Sequence, residues 1–186
     1  MRKQQRMSDL SLVSADELER YSTGDFRYEL VEGRVVRMSP VGFEHGRIVA
    51  RMIALLRRHV DERQLGEVIT EVGFKLASNP DTVRAPDIAF VRTERIPVPA
   101  PRGFLMFSPD VAIEVLSPAD RPADVLTKVD EYLDHAVPLV VVIDPEQRIA
   151  TSYRRLMTPV VVRHENDVIT LGDVLPEFTL RLRNLF

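Results

Sequence analysis

Residues 110–116, with the sequence DVAIEVL, constrain the fold more than any other part of the chain. Successive side chains of a strand point to opposite faces, and both faces of this segment are apolar except at Glu114. Such a pattern predicts an interior strand of an α/β fold, covered on both sides. An ionised carboxylate is unfavourable there unless it is paired or bound to a metal. Glu114 therefore needs a partner.

Two other ionisable residues have comparable surroundings. Asp87 lies in RAPDIAFV, where small apolar neighbours on its own face leave room for another group. Lys128 lies in the helix-like segment PADVLTKVDEYLDH, at the margin of an apolar stripe. From there its side chain can reach along the edge of the core towards an acid. Two acids and a lysine suit a metal-dependent phosphodiesterase, because carboxylates bind hard divalent cations and the lysine supports the attacking water or the charged transition state.

Each of the three residues also has a structural interpretation. Asp87 follows a proline and could cap a turn. Glu114 could form an ion pair with an arginine, and Lys128 could pair with Asp124 one turn earlier in its helix. The three together favour a functional site, because buried acids on consecutive strand-like segments require a common counter-charge.

Five segments follow one another along nearly the whole chain: RYELVEGRVVRMSP, EHGRIVARMIALL, RAPDIAFV, IEVLSPADRPADVLTKVDEYLDHAVP and VVIDP. Their order and spacing resemble the PD-(D/E)xK nuclease superfamily, and in particular its Uma-type family of restriction-endonuclease-like proteins. The resemblance implies an α/β fold with a restriction-endonuclease-like core. This core has a mixed central sheet flanked by helices, an N-terminal hairpin and C-terminal antiparallel strands.

The resemblance also implies roles for individual residues. Asp87 and Glu114 correspond to the metal ligands, which would bind Mg²⁺ or Mn²⁺. Leu116 stands where the standard motif has its lysine, so Lys128 is the candidate for that role. Glu29, in YELVEG, is implied as a further catalytic acid.

The same resemblance points to His45, in EHG, as a possible neighbour of the site. We therefore expect a Mg-dependent endonuclease that hydrolyses phosphodiester bonds of DNA. The competing interpretation is a catalytically silent nuclease-like scaffold that serves as a binding or regulatory module. The net charge of −3 favours this second interpretation, because proteins that hold duplex DNA by electrostatics are usually basic. The intact set of two acids and a lysine favours the first.

One predicted helix, at residues 44–63, offers local positive charge. Its arginines Arg47, Arg51 and Arg58 lie within about 40° of one another on a face away from the apolar stripe. Such a face could bind nucleic-acid phosphates. It could equally be a solvated helix face with some glutamate pairing.

Length and composition set further bounds. The 186 residues fit a single domain, which we place at 13–186 after a flexible tail at 1–12. The chain has no cysteine, which excludes disulfides and is compatible with the cytoplasm. No apolar run approaches the roughly 18 residues that span a bilayer. We expect a cytoplasmic protein that binds DNA but no membrane, and a homodimer would help it engage both strands of a duplex.

The pattern of apolar and turn residues gives a coarse layout. A capping-box signature at Ser14 and Glu17 predicts a short helix to about residue 21. A hairpin is predicted at 26–31 and 34–38, and the long helix follows it. Further strands are predicted at 67–76, at a segment that begins at Asp87, and at 110–116, 139–143, 148–154, 160–163 and 168–171. The last two are expected to extend the same sheet.

Overall fold

The computed structural model describes residues 12–21 and 27–186. Apart from its last residue, the predicted tail at 1–12 lies outside the described residues, as does the first residue of the predicted hairpin at 26–31. In chain order, the helices and strands are α1 (Ala15–Tyr21), β1 (Tyr28–Val31), β2 (Arg34–Arg37), α2 (Phe43–Arg63), β3 (Gly66–Ile69), β4 (Phe74–Ala77), β5 (Thr82–Arg84), β6 (Ile88–Arg92), β7 (Val111–Val115), α3 (Pro122–Asp134), β8 (Leu139–Asp144), β9 (Ile149–Tyr153), β10 (Val160–Val162), β11 (Val168–Leu171) and β12 (Leu175–Arg181).

The central sheet has six strands in the order β10-β9-β8-β7-β6-β3. Strands β7 and β8 are parallel, whereas the other neighbours are antiparallel, so the sheet is mixed. Helix α2 covers one face with a stripe of buried residues, Ile48, Met52, Leu56 and Val60. Helix α3 covers the other face through Val129 and Tyr132. The predicted α/β fold with a mixed central sheet flanked by helices is confirmed.

A second sheet of four strands carries the N-terminal hairpin, in the order β2-β1-β5-β4. Helix α1 packs on it and begins with the predicted capping box. The backbone N–H of Ser14 donates to Glu17 Oε2 at 2.8 Å, and the backbone N–H of Glu17 donates to Ser14 Oγ at 3.3 Å. This sheet brings Glu29, on β1, beside Lys128 of α3.

Two strand predictions are wrong. The strand predicted at 67–76 is two strands in different sheets, since β3 pairs with β6 and β4 pairs with β5. The chain turns between them at Glu71, whose φ of 58° is left-handed and cannot continue a strand. The second error concerns β11, which pairs with β12 and does not extend the central sheet. Its buried residues Ile169 and Leu171 pack into the core that α2 covers.

No helix within residues 12–21 and 27–186 is long and apolar enough to cross a membrane.

Candidate active site

Glu114 lies on β7, and Asp87 lies immediately before the neighbouring strand β6. Strands β6 and β7 pair with Ile88 opposite Ile113. Extending this antiparallel register by one residue sets Asp87, which immediately precedes β6, opposite Glu114. Residues directly opposite in such a pair share a face, with Cβ atoms roughly 4.5–5.5 Å apart. Asp87 Oδ2 accepts a hydrogen bond from the backbone N–H of Val115 at 2.7 Å, which fixes its carboxylate beside Glu114.

Lys128 brings an ammonium group to these acids from α3. Its Nζ lies 2.9 Å from Glu114 Oε1 and 3.2 Å from Glu29 Oε1. The side chain is only 17% exposed, because it runs along the edge of the core as the sequence predicted. Within the described part of the chain, Lys128 makes no ion pair with Asp124.

Glu29 is the most deeply buried acid of the site, at 2% exposure. Its Oε1 accepts from the backbone N–H of Ala85 at 2.9 Å, and its Oε2 accepts from Arg84 Nη1 at 2.7 Å. Arg84 also binds Glu131 of α3 with two nitrogens, at 2.7 and 2.6 Å. These contacts join β1, β5 and α3, so Glu29 serves to position Lys128 and Arg84.

Sequence reasoning missed three members of this network: Arg84, Glu131 and Tyr132. The hydroxyl of Tyr132 donates to Glu114 Oε1 at 2.8 Å. In the sequence, Tyr132 falls within the apolar stripe of α3. Its hydroxyl could have indicated a role in the site, since a buried tyrosine hydroxyl usually needs a hydrogen-bond partner. Arg84 is the first residue of the segment RAPDIAFV, but nothing in the sequence indicates that it would contact Glu29.

The surroundings shift the pKa values of the site in opposite directions. The pKa of Glu114 is raised to about 7, because burial, together with the charges of Asp87 and Glu29, raises it by more than Lys128 lowers it. Burial also raises the pKa of Glu29, but Lys128 and Arg84 lower it by more, so it stays below its usual range. Burial lowers the pKa of Lys128, but the two glutamates outweigh this and raise it above its usual value. Lys128 is therefore protonated at neutral pH.

The charges and oxygen atoms of the cluster fit a divalent cation. Four carboxyl groups (Asp87, Glu114, Glu29 and Glu131) lie in the cluster with two permanent cations, Arg84 and Lys128. A bound cation would compensate the excess of carboxylates and displace the proton that the raised pKa favours on Glu114. Lys128 and Tyr132 both bind Oε1 of Glu114, whereas no hydrogen bond or ion pair among the described residues involves its Oε2. An all-oxygen set with excess negative charge suits a hard ion such as Mg²⁺ or Mn²⁺.

No group of three or more His, Cys, Asp or Glu side chains within 12–21 and 27–186 is arranged to hold a metal by itself. A cation on Asp87 and Glu114 would therefore complete its shell with backbone carbonyl oxygen and water. This agrees with the habit of Mg²⁺, which usually keeps several waters and binds through one or two carboxylates.

His45 joins the site from the start of α2. Its Nε2 lies 3.3 Å from Asp87 Oδ1, and its Nδ1 lies 3.4 Å from Ser117 Oγ. The hydrogen bond to Asp87 raises the pKa of His45, although burial opposes the shift. The structure thus brings together Asp87, Glu114, Lys128, Glu29 and His45; their roles in catalysis stay predictions.

Two of the three arginines on the predicted basic face of α2 bind the end of the described chain. Arg51 Nη1 donates to the carbonyl oxygen of Phe186 at 2.6 Å, and Arg47 Nη1 donates to the same oxygen at 3.1 Å. Arg47 also pairs with Glu44, as the alternative of a solvated face predicts, and Arg58 is exposed. Arg47 and Arg51 therefore have a structural role, and binding of nucleic acid by this face stays a prediction.

Two concave regions lie at the cluster, one lined by Asp87 and the other by His45. A cavity of about 150 Å³ is lined by Asp87 together with Arg27, Tyr28 and Phe104. A larger, open cleft of about 810 Å³ is lined by His45 and Ser117.

Comparisons with known proteins show the family and the fold of this chain. The family model Uma2, described as "Putative restriction endonuclease", matches residues 15–183. The chain belongs to the Uma2 family. The crystal structure of a "putative nuclease belonging to DUF820" from Anabaena variabilis ATCC 29413 is also similar, with a TM-score of 0.84 over 94% of this chain and 97% of that chain. At 20% identity this likeness shows the fold alone. No curated protein matches this Uma2 chain.

Proposed function

We propose that this Uma2 chain is a metal-dependent endonuclease that hydrolyses phosphodiester bonds of DNA. The proposal depends on one arrangement: Asp87 opposite Glu114 in the extended register, with Lys128 Nζ 2.9 Å from Glu114. Family membership supports nuclease chemistry, and the excess of carboxylates supports a divalent cation.

Asp87 and Glu114 are the residues that would hold Mg²⁺ or Mn²⁺. Such an ion, when bound, supplies charge neutralisation at the phosphate and an activated water. Glu114 is held by one oxygen, since Lys128 and Tyr132 both contact Oε1, which leaves Oε2 for the cation. Asp87 is held by Oδ2 on the backbone N–H of Val115, so both carboxylates are oriented before any ligand arrives.

Lys128 acts as a fixed positive charge. Its raised pKa means that it does not serve as a general base near neutral pH. Its ammonium orients the attacking water or stabilises the charge that develops on the phosphate oxygens. Glu29 and Arg84 keep it in place, because Glu29 accepts from both Lys128 and Arg84 in a buried position.

Cleavage of supercoiled plasmid, single-stranded DNA and RNA by purified protein tests the proposal. We expect cleavage of DNA that requires Mg²⁺ or Mn²⁺ and is lost in Asp87→Asn. Asp134→Asn is the matched control, because Asp134 is an exposed acid at the end of α3 outside the cluster. Equal cleavage by the wild type and Asp87→Asn would assign the activity to a contaminant or another site.

A catalytically silent binding module is the second candidate, and the net charge of −3 favours it. Calorimetric titration with Mg²⁺ and Mn²⁺ separates the two candidates. A nuclease binds the cation at Asp87 and Glu114, whereas a scaffold that has lost hydrolysis has no need to keep that affinity. Wild-type protein that binds neither ion would support the silent module.

A further inference from the structure

The cavity of about 150 Å³ that Asp87 lines has an arginine, Arg27, among its lining residues. The cleft of about 810 Å³ differs, since Asp120, Asp144 and Glu146 line it and none of its lining residues is lysine or arginine. A surface of that charge repels phosphate, whereas an arginine attracts it. The cavity is also small beside the roughly 300–1,000 Å³ of typical ligand pockets, so it suits a single phosphate group better than a whole nucleotide.

Arg27 lies on the same side of the N-terminal hairpin as Glu29. The backbone N–H of Met38 donates to the carbonyl oxygen of Arg27 at 2.9 Å, which continues the antiparallel register of β1 and β2 by one residue. Alternate residues of a strand share a face and lie roughly 7 Å apart along it. Glu29 contacts Lys128 Nζ at 3.2 Å from this face. The strand therefore presents Arg27 on the side where the candidate active site lies.

Among the described residues, Arg27 has one charged partner, Glu71, which lines the same cavity. The two side chains are 49% and 47% exposed, and exposed pairs of this kind contribute little to stability. The backbone N–H of Glu71 donates to the carbonyl oxygen of Pro86 at 3.2 Å, so Glu71 is held beside the residue that precedes Asp87. An anion that enters the cavity can therefore replace the Glu71 carboxylate at the guanidinium for a small loss of free energy.

We propose that Arg27 binds a phosphate of the substrate strand at the cavity that Asp87 lines, and that this phosphate displaces Glu71 from the guanidinium. The inference rests on the proposed function in that the substrate is a nucleic acid. The planar guanidinium donates two parallel N–H groups to two phosphate oxygens, a geometry that lysine cannot reproduce. The contact supplies a cation for substrate in a chain of net charge −3 whose Arg47 and Arg51 already bind the carbonyl oxygen of Phe186.

Fluorescence anisotropy of a labelled single-stranded oligonucleotide, with Ca²⁺ in place of Mg²⁺, measures this contact as binding. Arg27→Gln is expected to weaken binding about tenfold or more, the usual effect of losing hydrogen bonds to a charged group. It should also lower the slope of log K against log salt by about 0.7, the share of one phosphate contact. Arg27→Lys, which keeps the charge but loses the fork, should have an intermediate affinity.

Glu71→Gln should have the opposite effect, because it frees Arg27. We expect binding to become tighter by up to about fivefold, the equivalent of one exposed ion pair. If the pair of Arg27 and Glu71 were only structural, both variants would change the affinity in the same direction, and that outcome would overturn the proposal.

The double variant Arg27→Gln/Glu71→Gln separates displacement from general repulsion. Once Arg27 is absent, Glu71→Gln is expected to change the affinity no further. The same gain in both backgrounds would show that Glu71 does not compete for Arg27, and would refute the displacement. Arg63→Gln and Glu177→Gln are the matched controls, because they break another exposed pair. Arg63 lies about 27 Å along α2 from His45, so both controls should bind as wild type does.

Binding and cleavage are measured separately, so the two proposals can fail separately. Wild-type protein that cleaves no DNA, but loses affinity in Arg27→Gln, would contradict the nuclease and support the Arg27 contact. Wild-type affinity in Arg27→Gln, with the same thermal unfolding temperature as wild type, would refute the contact even in an active nuclease. Wild-type protein that binds no oligonucleotide would refute both.

Discussion

Lys128 Nζ lies 2.9 Å from Glu114 Oε1, although the lysine belongs to α3 and the glutamate to β7. The position two residues after Glu114, where the standard motif has its lysine, is Leu116, which lines the cleft of about 810 Å³. The ammonium thus reaches the acid from the helix that covers this face of the sheet. Its position depends on how α3 is held, and Arg84 holds α3 through Glu131.

Removal of the Lys128 ammonium should lower the rate of cleavage strongly, while the protein still folds. We expect Lys128→Met to lower the rate of plasmid cleavage by about 10²-fold or more, the usual effect of losing one preorganised donor. Lys75→Met is the matched control, because Lys75 is as little exposed, at 16%, and pairs with an acid, Asp81, in the N-terminal sheet. Equal rates for the two variants would remove Lys128 from the mechanism.

Tyr132 should affect the cation through Glu114. Tyr132→Phe removes the hydroxyl that donates to Glu114 Oε1 and leaves the ring in the core. Because such supporting hydrogen bonds orient metal ligands, we expect the affinity for Mn²⁺ to fall about 10–100-fold. Calorimetry measures the affinity, and Tyr153→Phe, in the cleft of about 810 Å³, is the control. An unchanged affinity in Tyr132→Phe would show that Glu114 is not a ligand oriented in this way.

The sequence was sufficient for the parts of the fold that follow from local periodicity. The apolar spacing in α2 and the double-faced apolar pattern of β7 depend only on neighbours along the chain, and both were predicted. The course of the chain after β3 was not. Whether residues 67–76 form one strand or two depends on which sheet each half joins, and that choice is made by partners far away in the sequence.

In the candidate site, too, some residues could be predicted from local sequence patterns and others depend on distant partners. Asp87, Glu114 and Lys128 could be named because each is an ionisable residue in an apolar pattern. Arg84 and Glu131 could not, because an arginine before a proline and a glutamate on a helix are ordinary in a sequence. Their role comes from the pairing of β5 with β1, at Val83 and Leu30, which turns Arg84 towards Glu29.

Arg84 should contribute strongly to the stability of the fold as well as to the position of Lys128. Arg84→Met leaves Glu29 and Glu131 without their guanidinium partner, and Glu29 is buried. We expect the free energy of unfolding to fall by about 3 kcal/mol, measured by urea denaturation. Arg57→Met, which breaks the pairs of a 40%-exposed arginine with Asp61 and Glu67, should cost less than about 1 kcal/mol. Similar losses in the two variants would contradict the account.

Asp81 should make stability depend on pH in the acid range. Its hydrogen bond from the backbone N–H of Ala15 lowers its pKa below the ordinary 3.8, against the effect of burial, and Lys75 lowers it further. A lowered pKa in the folded state stabilises the protein above pH 3.8, and this contribution is lost as the pH falls through the lower value. Asp81→Asn should therefore be less stable than wild type at pH 6, with the difference narrowing towards pH 2. A difference in urea denaturation that does not change with pH would argue against a lowered pKa of Asp81 in the folded protein.

Anomalous diffraction from a crystal soaked in Mn²⁺ tests the central claim most directly, because it locates the ion and names its ligands together. We predict a manganese peak between the carboxylates of Asp87 and Glu114, absent from crystals of Asp87→Asn. A peak elsewhere, or none at this pair in protein that cleaves DNA, would contradict the proposed active site.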